Sequence, residues 1–533
     1  MRRSRNTFYR RMPLVAALVF AMASVAAAQG ARQSPSSTAE QAQAPSGTLR
    51  IAVAAAGNEA LDPLKGPNNN GVYLRLLFDP LVGVDRSGRN VSKATGVARD
   101  WRISRDGRTY TFLLRRGIRF HDGTELTSAD VVFTLQRHSQ PDNLTTTGRT
   151  IANQLESVRA QGKYAVRVRL KAPTATLLYR LSPLVDVAGL VVSKRYFDRA
   201  GPAGFDRRPI GSGPYRFVSR QAGSSMTFRA VNRHWLIGRP AYRTVEFRIV
   251  PEESTRVSLL RAGDTDFIDV GVEQRGNLQR SGFRSFRHAA LNPLLLFMNL
   301  SNRNSPLRNI NARKALSYAI NRQELNRFLF NGQGVVTGNI FPSQLGNVRI
   351  AADPFNVNQA RSFMRQSGAD DLNLELNAQV RGAVPQMLQL AQTLQSYWRA
   401  IGVDVNIVFG DYGTWRAKAV DRSLAPNALQ LLDIGGRPDN SDTSIVWFSC
   451  GGLLTQACDR QMDIRAQRWS TARDDRTYAQ AARTAERYIK NRYLSIPVLG
   501  LPVYYMGSRK IPQSYSVGAI ALGFHVQGLV WNR

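Results

Sequence analysis

The sequence predicts an α/β fold on three observations. Segments with apolar residues at every second position recur between segments with apolar residues at helical spacing. One stretch joins the two kinds directly: Met387, Leu390, Ala391, Leu394 and Trp398 form a helical stripe, Gly402 closes it, and Val403, Val405 and Ile407 then alternate as a strand. The chain has 533 residues, enough for two or three domains with cores of their own.

The first element is an export leader. Arg2, Arg3, Arg5, Arg10 and Arg11 make a basic start, an apolar run follows from Met12 to Val25, and Ala26-Ala27-Ala28 offers the small side chains that signal peptidase accepts. A membrane-spanning helix needs about 20 apolar residues, and this run is shorter. Residues 1–28 are therefore expected to be cleaved, with Arg10-Arg11 leaving general and twin-arginine export both open. No Cys lies near the cleavage site, which predicts a mature chain without a lipid anchor. Residues 29–46, rich in Gln, Ala, Ser and Pro, have too few large apolar side chains for a core and read as a disordered linker.

The folded part begins with a strand over Gly47–Ala54, with Leu49, Ile51 and Val53 on one face. Tyr110, Phe112 and Leu114 alternate as another strand, a turn follows at Asp122-Gly123, and Thr127 with Asp130 forms a capping box at the start of a helix. Further strands are expected at Met226–Val231 and Val245–Val250. Asn311–Ala319 is an amphipathic helix, and Asn321 with Glu324 caps a second one carrying Leu325, Phe328 and Leu329. These stripes are core faces.

The formal net charge is +34, and it stays strongly positive without the leader's five arginines. The basic residues are spread along the chain with no dense block and no aromatic-interleaved motif, so a nucleic-acid partner is not expected and a solvated basic surface is. The five histidines, His121, His138, His234, His288 and His525, never pair at metal-ligand spacing. Gly211-Ser212-Gly213 lacks the spacing of a nucleophile elbow, no phosphate-binding or dinucleotide loop occurs, and Asp439, Asn440 and Asp442 lack the spacing of a calcium loop. No cofactor or metal is expected, and no catalytic constellation presents itself; a secreted hydrolase is the weakest of the readings. Cys450 and Cys458 are the only cysteines. In an exported chain such a lone pair reads as a small disulfide loop rather than a zinc half-site, since no His lies close.

The stretch Trp101–Arg137 (WRISRDGRTYTFLLRRGIRFHDGTELTSADVVFTLQR) closely resembles the signature of the peptide/nickel class of bacterial extracellular solute-binding proteins. The resemblance extends in order through LDPL at Leu61–Leu64, LLFDPLVGVD at Leu76–Asp85, GSGPYRF at Gly211–Phe217, LRAGDTDFID at Leu260–Asp269 and ARKALSYAINRQEL at Ala312–Leu325. It implies a periplasmic-binding-protein-like α/β fold in its large three-lobed form, two main lobes closing about a hinge around the ligand. The implied limits are domain I over 47–75, 206–288 and 499–533, domain II over 76–205 and domain III over 289–498. It implies a monomeric, non-enzymatic periplasmic receptor that hands a short peptide or similar solute to an inner-membrane ABC permease and is at most peripheral to the membrane. The same fold carrying a metal chelate, haem or another anionic solute is the alternative.

Three ligand contacts follow from the same resemblance. Arg381, ahead of the Met387–Trp398 stripe, matches the arginine that binds a peptide carboxylate in dipeptide-binding members, a task suited to a planar fork of donors. Asp439, in GGRPD, matches the aspartate that binds the α-amine, and Tyr412 matches a pocket aromatic. Where those members carry a Trp this chain has Gly436, followed by Arg437 and Pro438, so the pocket wall is expected to differ and an acidic ligand becomes an option.

Overall fold

The strand Thr48–Val53 lies at the centre of a seven-stranded sheet built from three distant stretches of chain. The order is Arg284–Arg287, Tyr504–Gly507, Phe267–Val270, Thr48–Val53, Thr244–Ile249, Ser225–Ala230 and Tyr215–Gln221. The central strand is parallel to both of its neighbours, while the outer pairs are antiparallel. Leu49, Ile51 and Val53 pack into one core, as their alternation requires. Ala52, on the opposite face, is buried in a second core. Parallel strands covered on both faces behave in this way.

The computed structural model describes residues 45–66, 70–143, 145–342, 348–369, 371–379, 384–410, 412–452, 454–520 and 523–531. The expected leader and most of the expected linker lie outside them. Gln43–Arg533 forms one compact unit. No helix among the described residues is long and apolar enough to cross a membrane.

The second sheet has four antiparallel strands in the order Ala98–Ile103, Thr109–Leu114, Ala165–Leu170 and Leu155–Ala160. Tyr110, Phe112 and Leu114 point inward with Val158, Val166, Val168 and Leu170. The helix Ser128–Arg137 packs on this layer, its start closed by the reciprocal bonds of Thr127 and Asp130. The motifs HDG and GSGPY are turns locked to each other: the His121 ring meets the Gly213 carbonyl at 2.9 Å, and the Gly211 amide donates to His121 Nδ1. A side chain at Gly211 would place its Cβ 1.9 Å from the Leu77 carbonyl oxygen, so only glycine fits this crossing. Beneath it the buried Asp79 carboxylate accepts bonds from Ser212 Oγ (2.9 Å) and Trp235 Nε1 (2.7 Å) and contacts His234 Nε2 at 3.2 Å. The carboxylate is shared by the serine, the indole and the histidine, so this buried group ties three segments of chain together.

The third sheet runs Asp404–Phe409, Asn373–Ala378, Ala428–Asp433, Asn292–Met298 and Ser495–Leu501. Its first three strands are mutually parallel, and Asn292–Met298 is antiparallel to both of its neighbours. The three helices expected beside it form at Ile310–Tyr318, Arg322–Phe330 and Met387–Arg399. Asn321 caps the second by accepting from the Glu324 amide, and its own side-chain amide bonds the Glu324 carboxylate at 2.7 Å. The stripe Met387, Leu390, Ala391, Leu394 and Trp398 is fully buried, with the Trp398 indole N–H donating to the Leu316 carbonyl.

One buried histidine, at the start of the helix Val526–Val530, makes the fold sensitive to acid. His525 is 1% exposed, and its ring nitrogens have no hydrogen bond among the described residues. Burial, with help from the Arg75 charge, lowers its pKa from 6.5 to about 4. Above pH 6.5 the ring is neutral in folded and unfolded chains alike. Between 6.5 and 4 only the unfolded chain takes up the proton, so this residue subtracts stability as the pH falls, by on the order of 3 kcal/mol at the end of that window. Replacing it by leucine removes that loss. In denaturant titrations the stability of His525→Leu relative to the parent is expected to rise by on the order of 3 kcal/mol between pH 7 and pH 4; a constant difference would contradict the assignment.

Candidate ligand-binding site

Parallel strands offer binding groups at their carboxyl ends, where loops and helix starts converge. In the third sheet those ends are Ala378, Phe409 and Asp433. Each of the three residues expected to touch ligand follows one of them in sequence: Arg381, Tyr412 and Asp439. Arg381 lies outside the described residues. Of Tyr412 only the backbone is described, as the first residue of the helix Tyr412–Val420.

The third loop, from Ile434 to Asn440, carries most of the polar structure. It leads into the helix Ser441–Phe448. Asp439 is fully buried. Its Oδ1 accepts from the Ser441 amide (2.9 Å), Ser441 Oγ (2.7 Å) and the Tyr478 hydroxyl (2.8 Å). Its Oδ2 accepts no hydrogen bond among the described residues, and the Arg180 Nε is 3.9 Å away. Burial next to this carboxylate pushes the Tyr478 phenol well above its usual range, so it donates at every physiological pH.

Arg180 reaches this loop from a segment far earlier in the chain. It ends the short helix Leu177–Arg180, which follows the four-stranded sheet, and is fully buried. Its Nε and Nη2 meet the two oxygens of Asp442 at 3.0 and 2.9 Å, Nη2 bonds Ser441 Oγ at 3.2 Å, and Nη1 bonds Gln154 Oε1 at 2.7 Å. This is a buried arginine–carboxylate ion pair closed off from water, with one hydrogen bond from Nε to Oδ2 and a charge contact from Nη2 to Oδ1. Burial nevertheless holds the Asp442 carboxyl well up, at about 6, against the pull of Arg180 and with the push of neighbouring Asp439. Beside the pair, Thr174 Oγ1 donates to the Ser470 carbonyl at 2.7 Å, so the contact is a seam rather than one bridge.

The GGRPD segment differs physically from the Trp-bearing pattern. A Cβ at Gly436 would fall 2.0 Å from the Leu291 carbonyl oxygen, so the backbone itself occupies the place where a side chain would begin. Arg437 is buried, and its charge acts on Asp186 and Asp442. It is thus opposed by the protein's own carboxylates. A buried amide pair and a buried amide–carboxylate pair lie nearby: Gln430 Nε2 donates to Gln379 Oε1 at 2.9 Å and Asn292 Nδ2 to Asp433 Oδ2 at 2.7 Å. Among the described residues no cluster of His, Cys, Asp and Glu is placed to hold a metal ion.

Cys450 and Cys458 form a disulfide with Cα atoms 4.2 Å apart. It closes the loop after the helix that carries Asp442. The Cys450 amide also donates to Asp463 at 2.7 Å.

Comparison with known proteins matches residues 94–452 to the model for bacterial extracellular solute-binding proteins, family 5, more than half of the chain. The chain belongs to that family. Its members are the solute-binding components of ABC importers. The chain is 26% identical to the dipeptide-binding protein of Escherichia coli K12 over 382 residues, 67% of this chain and 70% of that one. It is also 26% identical over 391 residues to heme-binding protein A of Haemophilus influenzae, covering 68% and 70%. Among solved structures, NikZ of Campylobacter jejuni in complex with Ni(L-His) superposes with a TM-score of 0.80 at 19% identity, covering 91% of this chain and 99% of that one. The periplasmic-binding-protein architecture of the peptide/nickel class, expected from the sequence, is therefore the observed one.

Sequence reading missed Arg180, Tyr478 and the glutamine pair. Arg180 left a signal: it is a lone charge in the otherwise apolar run TATLLYRLSPLV, a pattern that in a soluble domain requires a buried partner. Its removal strands two buried carboxylates. Arg180→Met is expected to lower unfolding stability by about 3–5 kcal/mol, read from urea midpoints, while Arg180→Met with Asp442→Leu recovers a large part of the loss. Removing the eight-residue cross-link with Cys450→Ser and Cys458→Ser is expected to cost about 2–3 kcal/mol by the same measurement, from the chain entropy returned to the unfolded state.

Proposed function

We propose that the protein is a periplasmic receptor for short zwitterionic peptides, released after cleavage of residues 1–28 and delivering its cargo as a monomer to an inner-membrane ABC permease. The observation that carries this reading is the Asp439 carboxylate. It has no exposure to water, Oδ1 is held by three donors and Oδ2 by none among the described residues. An acceptor oxygen left over in a dry site is suited to a ligand ammonium. Arg381, carried over from the family resemblance, supplies the carboxylate end.

In this reading the three sheets are the cores of three lobes with the limits expected from the sequence. The seam made by Arg180 with Ser441 and Asp442 is then the contact between lobes II and III in the closed state. Closure removes water from the cleft and strengthens every charged contact within it. Enzymatic turnover is not part of the proposal: the serine–aspartate–histidine trio at Asp79 is structural.

The alternative cargo is a metal chelate or haem, since relatives at equal identity are named for dipeptide and for heme. With no metal-ligating cluster among the described residues, a chelate would be held through its own carboxylates. Titration calorimetry with a dipeptide library is expected to show binding that Arg381→Ala weakens more than tenfold and that acetylation of the peptide amine abolishes. Unchanged affinity in Arg381→Ala, or equal binding of the acetylated peptide, contradicts the peptide reading. Stoichiometric metal in protein purified from its native host favours the chelate instead.

A further inference from the structure

The helix Asp475–Asn491 reaches the candidate site with one side chain. Its start is closed by the reciprocal bonds of Asp474 and Thr477. Tyr478 follows in the first turn, its ring buried against Trp469 with the centroids 5.9 Å apart. The Tyr478 hydroxyl donates to Asp439 Oδ1 at 2.8 Å. The two other donors to that oxygen, the amide and the hydroxyl of Ser441, lie only two residues further along the chain. A local turn of this kind fixes where the carboxyl group sits. It does not fix which oxygen points where, because rotation about the last bond of an aspartate is broad and two-fold, and either oxygen would satisfy the turn. Tyr478 lies 39 residues away on a separate helix and breaks that equivalence. A carboxylate free to turn has another partner at hand, since Arg180 Nε is 3.9 Å from Oδ2. Turning toward the guanidinium engages Oδ2 with the protein's own cation.

We propose that Tyr478 is the positioning residue of the amine site: by holding Oδ1 it keeps Oδ2 of Asp439 turned to the ammonium of the ligand and away from Arg180. The inference rests on the peptide reading above. Tyr478 acts through Asp439 rather than on the ligand. A phenol suits the task because its long, rigid ring carries the hydroxyl from the helix to the loop, and burial keeps its proton in place. The specificity that follows is for a free, charged α-amine. A methylene or an acylated nitrogen in that place leaves a dry carboxylate oxygen without its cation, and an unpaired charged acceptor costs more than a neutral one.

Titration calorimetry tests this with two probes: the dipeptide that the parent binds most tightly in a library, and the des-amino analogue of the same peptide. The parent is expected to prefer the free amine by about a hundredfold, and Tyr478→Phe to narrow that preference to about tenfold. The variant keeps the ring and its Trp469 contact, so it retains the fold. A merely structural tyrosine would weaken both probes alike and leave their ratio unchanged. Tyr488→Phe removes from the same helix a hydroxyl bonded to Asp459 at 2.9 Å, and is expected to keep the parent's ratio. In Asp439→Asn the preference is expected to vanish, and adding Tyr478→Phe to change the ratio no further. An unchanged ratio in Tyr478→Phe, an equal narrowing in Tyr488→Phe, or a further effect of Tyr478→Phe on the ratio in Asp439→Asn would overturn the inference and leave the peptide reading standing. A parent that binds no dipeptide, or binds both probes equally, removes the reading itself and this inference with it.

Discussion

A guanidinium shut away from water must find carboxylates and carbonyls within the protein, because the cost of burying it alone is several kcal/mol. Arg180 meets that constraint by reaching 262 residues along the chain to Asp442. The loop after the Ala428–Asp433 strand, the start of the Ser441–Phe448 helix and the orientation of Asp439 all follow from the same contact. Ser441 is the pivot: its hydroxyl donates to Asp439 and receives from Arg180, so the two carboxylates are set by one side chain. The Tyr478 hydroxyl and the disulfide at Cys450 hold the flanks of the same region.

Periodicity and capping chemistry made much of the scaffold legible. Thr127 with Asp130, the Met387–Trp398 stripe and the alternation of Tyr110, Phe112 and Leu114 each have a local cause, and each forms close to its expected limits. The central strand was half legible. Alternation identified Leu49, Ile51 and Val53, but the burial of Ala52 depends on a helix and strands more than 200 residues away, which no local pattern carries. The lone pair of cysteines, Cys450 and Cys458, forms the disulfide expected of it.

The candidate site was less legible, for a physical reason. Resemblance located Asp439, whose surroundings then proved to be a buried network and not a simple open acceptor. Arg437, read from the sequence as a cation free to attract an acidic ligand, faces the fields of Asp186 and Asp442. Gly436, read as a change in the pocket wall, is a close backbone crossing against Leu291. In each case a charge or a small residue had its meaning fixed by a partner far away in sequence, and type and spacing alone do not name such partners.

The central sheet has one more consequence, which concerns how the protein comes into being. Phe267–Val270 and Arg284–Arg287 both pair with Tyr504–Gly507, near the carboxyl terminus. A ribosome must therefore deliver almost the entire polypeptide before this sheet has its last interior strand. Until then its flanking strands keep open edges, the state in which chains are most prone to aggregate and slowest to find long-range pairings. The same topology that makes the finished protein a late folder also keeps the nascent chain without its central sheet for longer.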